Sequence, residues 1–372
     1  MKRAALLVIP LLALMLSGCS SSQTPSDGQK SLIPEGLVSK NEKGSVWKSD
    51  DGGESFHVSS TVDATRSIDK ADILSISFHP TKPMSVILGT VNDGVFKTED
   101  GGDTWMPIAF PPKRIYSFII DRKDPDNRMF VSGVVNGHGK IFRTDDDGTA
   151  WHEVYSEPGE NTFISSLAQD PFDAAVIYAG TSAGTLLKSG DAGATWGNVS
   201  VPDTGTGIVA DIVFDPKRRG SVSFLSYTNK MYHSDDGGAT WIDWDQVRRN
   251  DRSLENQQTP NQMLTLVADP SVSGTLYAGT GSSGMYRTTD NGRTWTKINI
   301  IESAEKFPIK SIAVDPKDPR RIVFVAGKAF YRSTDGGSTW SVTALNSDRS
   351  ASVAAYDPFD SRFVFVGLRS SQ

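Results

Sequence analysis

From about residue 45 onward, apolar and polar side chains alternate with a period of two in short stretches, each closed by Gly, Asp, Asn or Pro. That period sends successive side chains to opposite faces of an extended chain, so it predicts half-buried β-strands rather than helices. The fourth full repeat shows the pattern most plainly. Its segments IVADIVFD, SVSFLSYT, KMYHSD and WIDWD read as four strands, A to D, joined by tight turns.

Two markers recur in step with the strands. The pattern S/T-x-D-x-G-x-T-W stands as SDDGGESF from Ser49, TEDGGDTW from Thr98, TDDDGTAW from Thr144, SGDAGATW from Ser189, SDDGGATW from Ser234, TTDNGRTW from Thr288 and STDGGSTW from Ser333. The steps between copies are 49, 46, 45, 45, 54 and 45 residues. Copy one carries Ser55 and Phe56 in place of Thr and Trp, and copy three carries Ala150 for Thr. The second marker is a proline turn, at His79-Pro80, Asp124-Pro125, Asp170-Pro171, Asp215-Pro216, Asp269-Pro270, Asp315-Pro316 and Asp357-Pro358. Proline sets its own φ and the preceding Asp bonds the backbone ahead, so this turn joins A to B while the box forms the C–D hairpin.

Four short strands per repeat, repeated seven times, predict an all-β fold: a seven-bladed β-propeller of four-stranded antiparallel blades. A box precedes the first proline turn and a proline turn follows the last box. The chain therefore begins and ends within a blade, and the N- and C-terminal strands share one. SVAAYD and FVFVGL are expected to pair with SVWKS and FHVSS, which removes the open sheet edges.

The boxes resemble Asp-box (BNR) repeats. Seven of them in one small propeller resemble the photosystem II assembly and stability factor-like family of bacteria, over about residues 45–370. The same box occurs in sialidases, sortilin-type receptors and xyloglucanases, so it specifies fold more tightly than function. The bacterial family implies assistance in assembling or stabilising membrane complexes.

The first residues read as an address. Lys2 and Arg3 precede a mostly apolar run from Ala4 to Leu16, too short to cross a bilayer. Leu16-Ser17-Gly18-Cys19 resembles the lipobox of bacterial lipoproteins, which implies cleavage before Cys19 and lipidation there by a diacylglyceryl group and an acyl chain such as palmitate. Residues 1–18 are thus expected to be a signal peptide, 19–44 a lipid-anchored flexible tether rich in Ser, Pro and Gly, and 45–372 the propeller. The expected location is the bacterial cell envelope, anchored to a membrane and facing the periplasm or exterior.

Composition narrows the chemistry. With Lys plus Arg at 38 against Asp plus Glu at 44, the net charge is −6, which argues against a nucleic-acid surface. The single cysteine permits no internal disulfide and no thiolate metal cage. A monomer without a cofactor or a resident metal is expected.

In each box the aspartate, at Asp51, Asp100, Asp146, Asp191, Asp236, Asp290 and Asp335, stands where a carboxylate can accept backbone N–H bonds. The closing indoles Trp105, Trp151, Trp196, Trp241, Trp295 and Trp340 are read as packing between blades. The acidic run Asp145-Asp146-Asp147-Gly148 suggests a calcium loop but lacks the glutamate of an EF-hand.

Alternating strands put the A–B and C–D turns on one face and the B–C and D–A loops on the other, where loop variation carries binding. The longer D–A connections fall near Thr61–Asp72 and Asp245–Gln262. Arg248, Arg249 and Arg252 in the second, with Lys113, Arg114, His138 and Lys306, form a candidate basic face for a protein partner; solvated loop charge is the alternative. Four residues before each A–B landmark stand Ser75, Ser117, Ser166, Asp211, Thr265, Ser311 and Val353. Asp211 breaks this set and is a candidate channel site for a cation or a cationic side chain.

Catalysis needs convergent chemistry, and the repeats disperse it. Arg143, Arg287 and Arg332 recur before boxes, and His57, His79, His138, His152 and His233 show no metal-ligand spacing. Asp203, Asp211, Asp243, Glu255 and Glu302 stand outside the repeats, yet nothing selects a glycosidase pair among them. The sequence is therefore read as a noncatalytic scaffold for proteins, with a glycan-binding or glycoside-hydrolase-like propeller as the alternative.

Overall fold

The computed structural model describes residues 43–370 except 111, 113, 203–206, 229, 255–256 and 302–306. Cys19, the tether, Lys113, Lys306, Asp203, Glu255 and Glu302 lie outside the described residues. Seven four-stranded antiparallel sheets form a propeller. Blade 1 runs through Ile73–Phe78, Val86–Thr90, Val95–Thr98 and Met106–Ile108 as strands A to D. Strand A of blades 2 to 6 is Ile115–Ile120, Ile164–Gln169, Val209–Phe214, Met263–Ala268 and Ile309–Val314. Blade 7 closes the ring with Ser350–Tyr356 and Val364–Arg369 from the C-terminal end and Val46–Ser49 and His57–Val58 from the N-terminal end. Val46 faces Gly367 and Ser49 faces Val364 across that seam.

The core lies between blades. Trp105 packs with Val46 and Phe365 of blade 7 and with Ile73 and Leu88 of its own blade. Strand B is buried along its whole length in blades 1 and 3 to 6, where apolar residues are joined by small ones, a Gly-Thr pair in three blades and Ser223 and Ser226 in blade 4. Gly89 marks a close approach: a Cβ there would stand 2.5 Å from the Ser75 hydroxyl and 2.8 Å from Ile115 of the next blade.

One backbone bond per blade fixes the faces. The third residue after the box's opening Ser or Thr donates to the A–B turn of its own blade, as in Gly52 to the Arg362 carbonyl (2.7 Å) and Gly101 to that of Met84 (2.9 Å), with the same bond in the other five. Both marker turns of every blade therefore share one face.

Three local expectations need correction. In blade 2 the turn begins at Asp121, not Asp124: its carboxylate Oδ1 accepts from the Lys123 and Asp124 amides, as Asp215 accepts from Lys217 and Arg218. The residue after that cap is proline in six blades and Arg122 in this one. In blade 4, strand D is only Ile242–Asp243. Asp243 then caps helix α1 (Trp244–Asn250), accepting from the Asp245 and Gln246 amides, so the insertion is helical where a loop was expected.

Every strand A also carries a β-bulge at its first turn, between residues 73 and 75, 115 and 117, 164 and 166, 209 and 211, 263 and 265, 309 and 311, and 351 and 353. The unpaired residue re-aims its side chain at the strand's start. Alternation of residue type gives no hint of these bulges.

Candidate functional site

The box is a closed hydrogen-bond unit. In the fourth repeat the Ser234 hydroxyl donates to Asp236 and accepts from the Gly238 amide, while Asp236 accepts from the Thr240 amide (2.8 Å) and hydroxyl (2.6 Å). The Thr240 hydroxyl, its amide and the Ser234 hydroxyl hold the Asp236 carboxyl at about 2; Asp191 and Asp335 are held there by the same groups of their own boxes. Ser55 keeps this bonding at Asp51, whereas Ala150 leaves Asp146 without the hydroxyl bond. Asp100 and Asp290 bind Thr104 and Thr294 alike. Among the indoles, Trp105, Trp241 and Trp295 are buried and Trp151, Trp196 and Trp340 half-buried. Those of Trp105, Trp151 and Trp340 donate to the carbonyls of Ser59, Ala109 and Asn299 just beyond strand D of the preceding blade. Phe56 meets Phe330 of blade 6 edge-on at 4.8 Å.

In the acidic run of box three, the flanking carboxylates point to different cations: Asp145 binds Arg128 (2.6 Å) and Arg143 (2.8 Å), and Asp147 binds Lys97 of blade 1 (2.8 Å). Lys97 and Arg143 belong to a position the sequence reading saw only in part. The residue before each box is Lys or Arg in six repeats, Lys48, Lys97, Arg143, Lys188, Arg287 and Arg332, and His233 in the remaining one. Several of these side chains reach the next blade's box, as Arg143 does to the Ala192 carbonyl, Lys188 to that of Gly237, and Arg332 to Glu54 across the seam.

Of the proposed basic-face residues, five are described, and they fall in three places rather than on one face. Helix α1 lies against the box of blade 5, where Trp244 donates to the Asn291 carbonyl (2.7 Å) and Arg248 to that of Gly292 (3.0 Å), and Arg248 also pairs with Asp245. Arg248, Arg249 and Arg252 nevertheless line one groove, together with Asp245, Leu254 and Thr259. His138 belongs to a B–C turn of blade 2 and contacts the Glu157 carbonyl through Nδ1 (3.0 Å). Arg114 lines a cavity of about 350 Å³ at the axial opening opposite the boxes.

That opening holds side chains sequence reasoning did not single out. Tyr116 and Phe163 stack with centroids 4.3 Å apart and planes 9° from parallel. Tyr227, 54% exposed, and Arg369 complete the polar lining with Arg114. Burial and the Arg369 charge push the Lys310 ammonium down. The bulged residues Leu74, Tyr116, Ser165, Ala210, Leu264, Lys310 and Ser352 share this level, and no residue type dominates them. Aligning the repeats on the turn aspartate would have exposed this varied position. Ser165 and Ser352 bind the next blade, at the Val209 carbonyl (2.5 Å) and the Ile73 carbonyl (2.7 Å).

Asp211 stands one residue deeper. Its Oδ2 accepts from the Leu266 amide of blade 5 (2.8 Å), the bond that the Ser117 hydroxyl takes from Leu167 (3.1 Å) and Ser311 from Ala354 (3.1 Å). It is an inter-blade clip made from a carboxylate instead of a hydroxyl. Burial pushes its carboxyl up to about 6, despite the hydrogen bonds from Leu266 and Thr265.

Comparison with known proteins gives a divided picture. The family model "Sortilin, neurotensin receptor 3" matches residues 139–275. The oligoxyloglucan-reducing end-specific xyloglucanase of Emericella nidulans is 26% identical over 301 residues, covering 68% of this chain and 37% of that protein. This chain thus spans little more than a third of that relative's length. Among solved structures, the GH74 xyloglucanase from Xanthomonas campestris is similar at a TM-score of 0.66 and 19% identity, over 80% of this chain and 51% of its own. YCF48 bound to D1 peptide is similar at 0.59 and 15% identity, over 82% of this chain and 93% of its own. At these identities the structural likenesses establish the propeller.

Proposed function

We propose that this chain is a noncatalytic binding scaffold for polypeptides, lipid-anchored through Cys19 in the bacterial cell envelope and assisting the assembly or stability of membrane protein complexes. The observation that carries the reading is the axial opening opposite the boxes. There Arg114 and Arg369 flank the Tyr116–Phe163 stack and exposed Tyr227 on a rigid rim. Flat aromatic surface beside guanidinium groups is the composition of protein-binding hot spots. The neighbour with a bound peptide matches this chain over nearly its own full length, whereas the xyloglucanase neighbour is about twice as long as the matched region.

The test is crosslinking in membranes followed by recovery of the chain. Arg114→Ala with Arg369→Ala is expected to lose protein partners that Arg249→Ala with Arg252→Ala retains. Partners unchanged in the first pair would refute the site.

A glycan-active propeller is the second reading, favoured by the xyloglucanase relative and by the raised carboxyl of Asp211. Hydrolysis of xyloglucan oligosaccharides, abolished by Asp211→Asn, would establish it in place of the first.

A further inference from the structure

The other axial opening, on the box side, holds a cation, Arg122, that makes no ion pair among the described residues. The repeats place proline after the turn cap at Pro80, Pro171, Pro216, Pro270, Pro316 and Pro358, and Arg122 in blade 2. A cavity of about 550 Å³ opens there, lined by Arg122 together with Phe78, Ile120, Phe214 and four of those prolines. The Arg122 side chain is exposed at this opening, with apolar surface beside it.

Nearby carboxylates are already engaged. Asp121, next in sequence, gives Oδ1 to the Lys123 and Asp124 amides and Oδ2 to the Gln169 side-chain amide (3.0 Å). Asp170 interacts with Arg122 only through its charge, and its Oδ1 accepts from the Phe172 amide (2.7 Å). Among the described residues Arg122 has no ion pair. Its backbone amide is tied to Gln169 Oε1 (2.9 Å), so the turn is held without using the side chain.

An exposed guanidinium with no ion pair, standing in an apolar-lined cavity, is open to an anion, and its planar fork matches a carboxylate. One cation, with the Asp170 charge nearby, favours a monoanion over a phosphate dianion. The apolar rim supplies contact for a hydrocarbon body.

We propose that this opening binds a small carboxylic acid with an apolar body, its carboxylate on Arg122 and its body against Phe78, Ile120 and Phe214. The site is separate from the partner-binding opening and stands or falls independently of it.

Calorimetric titration of the full chain with hexanoate, hexanamide and hexylamine tests the assignment. Hexanoate is expected to bind at least about tenfold more tightly than the other two, the difference a charge-assisted pair supplies. Arg122→Gln is expected to lose about that factor for hexanoate while leaving hexanamide and the thermal midpoint unchanged, and Arg122→Lys to keep part of it. Equal affinities for acid and amide in the unaltered protein would overturn the proposal, whether or not the variants fold. So would hexanoate binding undiminished in Arg122→Gln, or no hexanoate binding at all. Capture of a peptide ending in leucine as its free acid, with hexanoate excluded, would also overturn it.

Discussion

The two axial openings are made by the same seven repeats and differ in what they repeat. On the box side, six prolines, seven caps and seven turn-to-box bonds serve the fold, and Arg122, in place of a proline, and His79, in place of a cap aspartate, depart. On the opposite side the bulge is repeated but its residue is not: Leu74, Tyr116, Ala210 and Lys310 share one backbone position. A position that satisfies backbone bonds is held to residues that can accept them, while a position that only aims a side chain is free to vary. Variety of side chains therefore collects where geometry repeats and residue type does not.

Substitutions across the two sides should make that contrast measurable. The largest effect is expected at Trp105→Ala, where a fully buried indole is lost and the Ser59 carbonyl is left bare. A cost of about 3–5 kcal/mol is expected in denaturant unfolding. Tyr227→Ala, at the far opening and 54% exposed, should stay within about 0.5 kcal/mol. Similar losses at the two positions would erase the distinction.

Asp211 is next in size. Its carboxyl, raised by burial to about 6, binds its proton more readily in the folded state than in the unfolded chain. The stability this contributes is fully present below about pH 4 and lost as pH rises through 6. Asp211→Asn should remove that decline, gaining about 1–3 kcal/mol relative to the unaltered protein between pH 4 and pH 7 in paired unfolding curves. Parallel curves would show that the carboxyl is not held up.

The smallest effect, of opposite sign, is expected at His79. Its Nδ1 accepts from the Lys82 amide (2.9 Å) and more weakly from that of Thr81, as the turn aspartates do in other blades, so Nε2 carries the proton and donates to the Pro125 carbonyl. Burial lowers its pKa, the unfolded chain takes up the proton first, and stability is lost as pH falls below about 6.5. His79→Asp, which installs the cap of the other six repeats, should flatten stability between pH 6.5 and 5 by under about 1 kcal/mol. Hydrogen exchange at Thr81 and Lys82 would report the same change locally.

Much of the architecture was legible because its signals are local. Each box closes its hydrogen bonds within a few residues, from Ser234 to Thr240, and therefore carries one pattern wherever it stands. Counting boxes against proline turns set the number of blades and the shared seventh one. Blade 2 shows where such reading slips: Asp124-Pro125 has the right dipeptide, but the amides are capped by Asp121 three residues earlier. Arg248 shows a second limit, since the helix that carries it and its hold on the next blade's box were not legible, although it still lines one groove with Arg249 and Arg252.

The sequence by itself determined the strands, the seven blades and the closure at the seam, since these follow from side-chain period and from bonds made within each repeat. Only the tertiary structure decided which side chains meet at the axis. Tyr116 meets Phe163, and Asp211 the Leu266 amide, because each blade delivers one inner strand to the centre. Neighbours there come from successive repeats, and no short-range pattern records what a distant segment will place beside them.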